Sequence, residues 1–401
     1  MEFITATEAA ARMGVTVRAV QKWAKSGRIP GAKQMGRSWL IPADAQLTES
    51  TVRAQESNPQ PTLKPSTAQR KHFPFPLLNT SFEPGSAWKV ASSMEDEDDR
   101  AIALGEYHYF CGECERSAQE LEPYLRHDDP CLAISANLIY LFDSLSLGKT
   151  LEIHETIEYI RQRVARVLTG ESDPLIRASA VLLGTTASVL LRSPEVNVLE
   201  LERVLFLLPR PVQFFGCYIL SYYAYLQHQY ERSLTIAEIA LALGGEHYPI
   251  ALNYLRTMLC IDLMCLRRVE DAKKCFSELW ETVKKDNGTE VIGQHYLMMQ
   301  GLPDICLKRQ KPDDFKQLLE VTKRFGQSWR RMQEQVFKKY HAKGLTLTEF
   351  NIASLYNRGW AVKEISLHMD ISERMVKHHI AMIYEKLGIS NREELRKLNF
   401  G

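Results

Sequence analysis

The stretch of sequence that decides the fold lies near the C-terminus. It reads LTLTEFNIASLYNRGWAVKEISLHMDISERMVKHHIAMIYEKLGISNREELRKL and covers residues 345–398. Its apolar residues recur at helical intervals, and turn residues separate the segments. The pattern predicts four helices, over residues 346–357, 362–369, 373–387 and 391–398. Ser372 stands immediately before the third helix, where its hydroxyl can cap the first turn.

The third predicted helix has two chemically different faces. A stripe of Val376, Ile380, Ile383 and Leu387 is expected to face the core. The opposite face carries cationic or small side chains, namely Arg374, Lys377, His378 and Ala381. A helix with this surface suits the major groove of DNA, because cations face phosphates and small side chains allow close approach.

The same stretch resembles the LuxR-type (GerE-like) helix-turn-helix. The residues that carry the resemblance are Leu345-Thr346, Glu349, Leu355, Gly359, Lys363-Glu364-Ile365, Ile371-Ser372, Val376-Lys377, His379, Ile383, Lys386-Leu387-Gly388, Asn391-Arg392 and Leu395. The resemblance implies that the third helix binds DNA and that the fourth commonly forms a dimer. The implied DNA-binding residues are Lys363, Ser372, Arg374, Lys377, His378 and Ala381.

A second motif lies at the N-terminus, in residues 4–42, which read ITATEAAARMGVTVRAVQKWAKSGRIPGAKQMGRSWLIP. We predict two helices and a small hairpin, over residues 8–13, 17–26, 32–35 and 38–41. Thr7 and Thr16 are the predicted helix caps. The motif resembles the winged helix-turn-helix of excisionases and MerR-type regulators, through Thr7-Glu8-Ala9-Ala10, Met13-Gly14-Val15, Gly27, Ile29-Pro30, Gly36-Arg37 and Trp39-Leu40-Ile41-Pro42. The resemblance implies DNA contacts by Thr16, Arg18, Gln21, Lys22 and Arg37; a docking role in protein interaction is the alternative.

The middle of the chain, residues 91–342, is helical by pattern throughout. Three predicted helical hairpins each place a small residue early in the second helix: Ser117, Ser233 and Ala272. A small side chain there lets two helices approach closely, and such units resemble tetratricopeptide repeats. The alternative is a generic helical bundle. The predicted fold class is therefore all-α, a TPR-like helical-repeat array flanked by an N-terminal winged helix-turn-helix and a C-terminal four-helix LuxR-type helix-turn-helix.

The domain division predicted from these patterns has four parts: residues 1–46, 47–90, 91–342 and 343–401. The second part is rich in Ser, Thr, Gln and Pro, which predicts a flexible linker. The acidic run EDEDD (residues 95–99) is expected to begin a helix, because carboxylates favour a helix N-terminus. A divalent-metal site is the less favoured interpretation of that run.

Charge is distributed unevenly along the chain, although the net charge is only +1. Residues 90–321 carry 23 Lys and Arg against 35 Asp and Glu, whereas both ends are basic. Basic ends suit a polyanion such as DNA. A basic segment over residues 321–344 either follows phosphates or is a solvated helix face. The sequence also predicts no secretory signal and no membrane span, and so a cytoplasmic location.

Enzyme chemistry is not indicated. We find no glycine-rich phosphate loop, no GxSxG and no HExxH, and we predict no catalytic residue, no metal and no cofactor. The segment His108-x-x-Cys111-x-x-Cys114 has the spacing of a thiol or metal motif, but packing is the favoured interpretation.

Two hypotheses for the function follow from the sequence. The first is a bacterial transcription regulator that binds double-stranded DNA as a homodimer through residues 373–387. A peptide, protein or small-molecule effector would act on the helical array, and RNA polymerase is an expected partner. The second is a helical scaffold whose terminal units act as docking modules. The steep salt dependence of DNA binding separates the two.

Overall fold

The structure is a computed structural model, and it describes residues 3–13, 17–25, 29, 31–35, 38–43, 72–170, 173–193, 196, 198–244, 247–332 and 344–398. The chain divides into two compact units, residues 1–69 and residues 70–401. The first unit contains β1 (Phe3–Thr5), α1 (Ala6–Met13), α2 (Val17–Lys25), β2 (Lys33–Met35) and β3 (Ser38–Pro42).

The second unit is built from helices. They are α3 (Ala87–Ser92), α4 (Glu97–Phe110), α5 (Cys114–Leu121), α6 (Pro130–Leu147), α7 (Thr150–Gly170), α8 (Pro174–Leu190), α9 (Leu199–Val204), α10 (Arg210–Leu226), α11 (Tyr230–Gly244), α12 (Pro249–Cys265), α13 (Val269–Lys285), α14 (Glu290–His295), α15 (Leu302–Leu307), α16 (Pro312–Met332), α17 (Leu347–Asn357), α18 (Val362–Met369), α19 (Glu373–Leu387) and α20 (Arg392–Arg396). Short 3-10 helices cover Glu122–Tyr124, Leu205–Leu207 and Tyr296–Met299. The all-α prediction is confirmed, with the small N-terminal wing as the β component.

The N-terminal unit has a three-stranded antiparallel sheet in the order β1-β3-β2. The hairpin of β2 and β3 agrees with the prediction, whereas β1 was not predicted. Because β1 leads directly into α1, the helix begins at Ala6, and Thr5 caps it instead of the predicted Thr7. The Thr5 Oγ1 accepts the amide of Glu8 (3.3 Å), and Glu8 Oε2 accepts the amide of Thr5 (2.8 Å).

In the second unit, successive helices pack against one another, and one apolar core extends from Phe75 through the array to Leu395. A common turn ends the first helix of successive pairs. The residue at this turn has a left-handed backbone in each case: Gly112, Gly148, Arg192, His228 and Arg267. The intervals between these residues are roughly 36 to 44 residues, so the middle of the chain has a repeating helical architecture.

The small residues predicted for close helix packing are buried completely. Ser117, Ser233 and Ala272 are 0% exposed, and each lies shortly after one of the common turns. Ile153 follows Gly148 in the same way and is 1% exposed. The second pair therefore has a large side chain where the first, fourth and fifth pairs have a small one, and the sequence pattern does not show this pair.

The predicted linker is too long at its C-terminal end. Residues 47–71 lie outside the described part of the chain, but residues 72–90 pack on the array, and Phe75, Leu77 and Leu78 are buried. Glu106 holds this segment, since its carboxylate accepts the amides of Leu77 (3.1 Å) and Leu78 (2.9 Å). Burial raises the pKa of Glu106 to about 8, against the lowering effect of these hydrogen bonds.

Among the described residues, α6 is the only helix long and apolar enough to cross a membrane by length and composition. Nearly all of it is buried inside the array, as expected for a central helix of a helical core. Its first turn is capped by Asp129, whose carboxylate accepts the amide of Cys131 (2.8 Å).

Candidate DNA-binding surfaces

The third helix of the C-terminal motif, α19, begins and ends at the residues that the sequence predicts. Ser372 Oγ accepts the amide of Met375 (3.3 Å), which satisfies one free donor of the first turn. Gly388 ends the helix with a φ of +65°, a conformation that glycine adopts without strain. The orientation of α19 is therefore set by local signals at both ends.

The two faces of α19 are arranged as predicted. Val376 and Ile383 are buried, and Ile380 and Leu387 are partly buried against the core. The side chains predicted to contact DNA are exposed: Lys363 and Ser372, which precede α19, and Arg374, Lys377, His378 and Ala381 on α19. Their exposure makes a cationic surface available to a polyanion. That they contact DNA stays a prediction.

Several motif residues of the C-terminal domain build the domain itself. Glu349 accepts the amide of Thr346 (2.7 Å) and pairs with Lys386 Nζ (2.7 and 2.8 Å), which joins α17 to the end of α19. These hydrogen bonds hold the pKa of Glu349 below its usual value, although its burial opposes them. Arg392 donates to the carbonyls of Tyr356 (2.6 Å) and Trp360 (2.9 Å). Such residues fix the fold of the motif and not its DNA sequence preference.

Another part of the C-terminal domain packs on the helical array, and we call this boundary the seam. Polar contacts across the seam pair His368 Nε2 with the Gln300 carbonyl (3.0 Å), Asn351 Nδ2 with Asp304 Oδ2 (3.3 Å), the Arg358 guanidinium with the Tyr225 hydroxyl (3.1 Å), the Arg267 guanidinium with Glu364 Oε1 (3.6 Å), and Arg309 with Asp370. These contacts lie on α17, α18 and the adjoining turns, so the seam leaves exposed the side chains of α19 that are predicted to contact DNA.

Close packing accompanies the polar contacts of the seam. Trp360 is buried; its ring centroid lies 5.1 Å from that of His368 and 5.7 Å from the Arg267 guanidinium. Gly301 has a φ of +81°, and a Cβ atom there would lie 2.7 Å from Met369 Sδ. Burial lowers the pKa of His368, so its ring is neutral at neutral pH and donates through Nε2. None of these seam contacts is predicted from the sequence, although Glu364 belongs to the helix-turn-helix motif.

The N-terminal unit presents a smaller candidate surface on α2. Arg18, Gln21 and Lys22 are exposed, as predicted, while Val20 and Ala24 are buried on the opposite side of the helix. The other two predicted DNA-contacting residues, Thr16 and Arg37, lie outside the described residues. The described side chains give α2 the same division into a core face and a cationic face that α19 has.

The basic segment upstream of the C-terminal domain contains one arginine, Arg324, that forms an ion pair inside the array and so is not available to contact phosphates. Arg324 binds the completely buried Glu290 at 2.8 Å, and that carboxylate also accepts from Ser146 (3.1 Å). Burial raises the pKa of Glu290 in spite of the arginine. Arg324 therefore stabilises the array. Lys323 is exposed; the side chains of Arg330 and Arg331, and the residues Lys338 and Lys339, lie outside the described part.

The cysteine motif has the properties of a packed segment. Cys114 is completely buried, and Cys111 Sγ donates to the Asp286 carbonyl (3.2 Å). Burial raises the pKa of Cys111 to about 11 and raises that of Cys114 further, so both stay thiols at neutral pH. His108 Nδ1 is bound to Glu113 Oε2 (3.0 Å). All eight cysteines are free thiols. A reactive thiolate is not favoured at this segment.

One group of side chains in the described part has the spacing of a metal site. Single ligand atoms of His72, Asp96 and Asp98 lie within 4.8 Å of one another. However, Asp96 caps α4 by accepting the amides of Asp98 (3.0 Å) and Asp99 (3.2 Å), and His72 Nδ1 is bound to Asp99 Oδ1 (3.0 Å). The capping prediction for the acidic run is thus confirmed, and the hydrogen bonds explain the group without an ion.

Two helix-turn-helix units with exposed cationic helices define the class of protein as DNA-binding. Residues 343–398 match the family model described as bacterial regulatory proteins, luxR family, and residues 3–45 match one described as a helix-turn-helix domain. No curated protein and no solved structure matches the chain. Both matched families are DNA-binding regulatory domains, so the chain is a regulator that binds double-stranded DNA. The tetratricopeptide resemblance of residues 91–342 is not supported by a family match.

Proposed function

We propose that the chain is a bacterial transcription regulator that reads operator DNA through α19 and responds to an effector on the helical array. The supporting observation is the exposed face of Arg374, Lys377, His378 and Ala381 on a helix capped at both ends and packed on its own domain. Cationic and small side chains on such a helix suit bidentate contacts to base edges and close approach to phosphates.

The proposal includes a homodimer on two half-sites, with α20 as the dimer helix, because the matched luxR-type motif commonly pairs in this way. Cytoplasmic location and contact with RNA polymerase belong to the same proposal. The effector would act through the seam, since it is the place where the array touches the C-terminal domain.

The test is selection of bound fragments from genomic DNA with the full-length protein. The Lys377→Ala/His378→Ala variant should lose the enriched sequence, because base contacts are worth about 1–3 kcal/mol each. A matched control is Lys308→Ala/His154→Ala, which removes one exposed lysine and one exposed histidine from the array. If the double variant of α19 still enriches the same sequence, α19 is not the reader, and Arg18→Ala/Lys22→Ala would then test α2.

A second candidate function, a scaffold for protein assembly, is favoured by one feature of the array. An open groove of about 950 Å³ runs along α7 and α8, with Ile157, Val164 and Leu168 among its apolar lining residues. Apolar grooves of this kind accept partner helices. Salt titration separates the two functions, because DNA binding weakens steeply with salt, and a scaffold shows no retention of specific DNA fragments at any salt.

A further inference from the structure

We propose that Cys260 and Cys275 are a redox-active pair of thiols, which a peroxide converts into a disulfide between α12 and α13. Cys260 Sγ donates a hydrogen bond to Cys275 Sγ at 3.3 Å. Cys275 Sγ in turn donates to the Arg256 carbonyl (3.7 Å), so its side chain lies against α12. A disulfide has an S–S length of about 2 Å, so the two sulfur atoms need to approach by only roughly 1 Å to form the bond.

The two thiols differ in their access to an oxidant. Cys275 is partly exposed, whereas Cys260 is 0% exposed. Burial raises the pKa of Cys260, so it stays a thiol at neutral pH. A peroxide therefore reaches Cys275 first, and Cys260 is the second thiol, held in contact with the first inside the array.

The reaction has two steps that balance in atoms and electrons. In the first step, the thiolate of Cys275 attacks the terminal oxygen of a peroxide, ROOH; the O–O bond breaks, and the products are a sulfenic acid at Cys275 and ROH. In the second step, Cys260 Sγ attacks the sulfur of the sulfenic acid. The S–S bond forms, the S–O bond breaks, and the proton of Cys260 leaves with the hydroxyl group as water. The two thiols together lose two electrons, which reduce the peroxide.

The packing of the helical pair does not require a thiol at the buried position. Cys260 precedes the turn residue Arg267 by the same interval as Ser221 precedes the turn residue His228. Ser221 fits this position in its own pair, where its hydroxyl is hydrogen-bonded to that of Ser233 (2.9 Å). Cys260→Ser is therefore a variant that keeps the packing and removes the redox chemistry.

The helical pair that the disulfide closes carries part of the seam at its turn. Cys265 Sγ, at the end of α12, accepts a hydrogen bond from Gln300 Nε2 (3.3 Å), and Arg267 pairs with Glu364 of α18 (3.6 Å). A change in the spacing of α12 and α13 therefore reaches the C-terminal domain. The formation of the disulfide goes beyond the proposed function, and only its effect on DNA affinity rests on that function. By linkage, DNA shifts the thiol–disulfide equilibrium by the same factor by which the disulfide changes DNA affinity.

The test treats the reduced full-length protein with equimolar hydrogen peroxide under native conditions, in the absence of DNA. The chain has eight cysteines, and the oxidised protein should present two fewer thiols to a maleimide after denaturation. Peptide mass spectrometry should find Cys260 linked to Cys275, and dithiothreitol should restore both thiols. Cys260→Ser should instead retain a sulfenic acid at Cys275, which dimedone traps. Cys306→Ser is the matched control, because it changes a partly exposed thiol on α15; it should form the disulfide as the unmodified protein does.

The inference is overturned if no thiol is lost, if the disulfide joins another pair of cysteines or two copies of the chain, or if Cys275 is oxidised to the sulfinic acid while Cys260 stays a thiol. A second measurement compares the DNA affinities of the reduced and the oxidised protein, and a change of several-fold is expected. Equal affinities would overturn the link to the seam. Failure of the proposed function is distinguishable, because a reduced protein that binds no DNA contradicts the regulator and leaves the disulfide chemistry intact.

Discussion

The N-terminal unit closes its core largely with alanines and a three-stranded sheet, whereas the C-terminal domain shares the large apolar core of the array. In the first unit, Ala6, Ala9, Ala10 and Ala24 are buried together with Val20, Ile29 and Ile41. In the second, Ile352, Ile365 and Val376 belong to one cluster with residues of the array helices. The two helix-turn-helix motifs are therefore similar, but the N-terminal motif has a core of its own and the C-terminal motif shares the core of the array.

The difference predicts which unit should respond to a change in the array. A change in the packing of the array reaches the C-terminal domain through side chains that touch both, such as Arg358, His368 and Asn351. The N-terminal unit has an apolar cluster of its own, so its stability should not depend on the array.

The largest expected effect comes from Trp360→Ala in the seam. Trp360 is 6% exposed and packs between His368 and Arg267, so truncation should lower the free energy of unfolding of residues 70–401 by about 3–5 kcal/mol. Urea denaturation of the full-length protein measures this loss. Amide hydrogen exchange in α1 and α2 should stay unchanged, because those helices belong to the other unit.

Trp88→Ala is the matched control for this experiment. Trp88 is 50% exposed and touches Tyr107 at its edge (5.3 Å between centroids), so its truncation should cost less than about 1 kcal/mol. Equal losses for the two tryptophans would show that the seam contributes nothing special to the stability of the second unit. Faster exchange in α1 after Trp360→Ala would show that the two units are coupled after all.

The next largest expected effect is a loss of stability in acid that His295 causes in the second unit and not in the N-terminal unit. Burial lowers the pKa of His295 from 6.5 to about 4, so between these values the unfolded chain binds more protons than the folded one. The contribution of His295 to the stability of the second unit therefore rises with pH over this range, and acidification from pH 7 to 4 should cost up to about 3 kcal/mol from this residue, whereas the raised pKa of the buried Glu106 carboxyl acts in the opposite direction. His368 at the seam contributes in the same direction as His295, because burial lowers its pKa too.

Chemical denaturation at several pH values measures this dependence. His295→Gln should lack the part of the dependence that His295 contributes, because the amide is neutral at every pH and can replace both hydrogen bonds of the ring. His228→Gln, at an exposed turn, should retain the full dependence. Residues 1–69 contain no histidine, so exchange in α1 and α2 should not follow this titration. An unchanged slope in His295→Gln would contradict the burial argument.

The sequence predicts those parts of the fold that local signals determine. The bounds of α17 to α19 agree within a residue, because Thr346 and Ser372 cap the helices and Gly388 ends the last one. The buried and exposed faces of α19 follow from the helical period alone. These features are predicted correctly because each is determined by residues only a few positions away along the chain.

The remaining features depend on contacts between distant residues. Arg358 binds the Tyr225 hydroxyl across 133 residues of sequence, and no local pattern pairs them. Glu106 orders residues 77 and 78, which follow a Pro- and Ser-rich stretch typical of linkers. The sequence does not predict the second helical pair, because the large side chain of Ile153 stands where the predicted pairs have a small one. The seam could be found only in the folded chain.

The smallest expected effect distinguishes the observed cap of α1 from the predicted one. Thr5→Ala removes the hydroxyl that accepts the Glu8 amide, and it should speed amide exchange in α1 and lower the melting temperature of the N-terminal unit by about 4 °C. Thr7→Ala should change little, since Thr7 is exposed and lies inside the helix. Hydrogen exchange of the full-length protein reports both variants in the same peptide segments. Exchange in α4 to α19 should be unaffected by either variant, because the cap belongs to a unit with its own core. A larger effect of Thr7→Ala would place the helix start two residues later, and β1 would then not lead directly into α1.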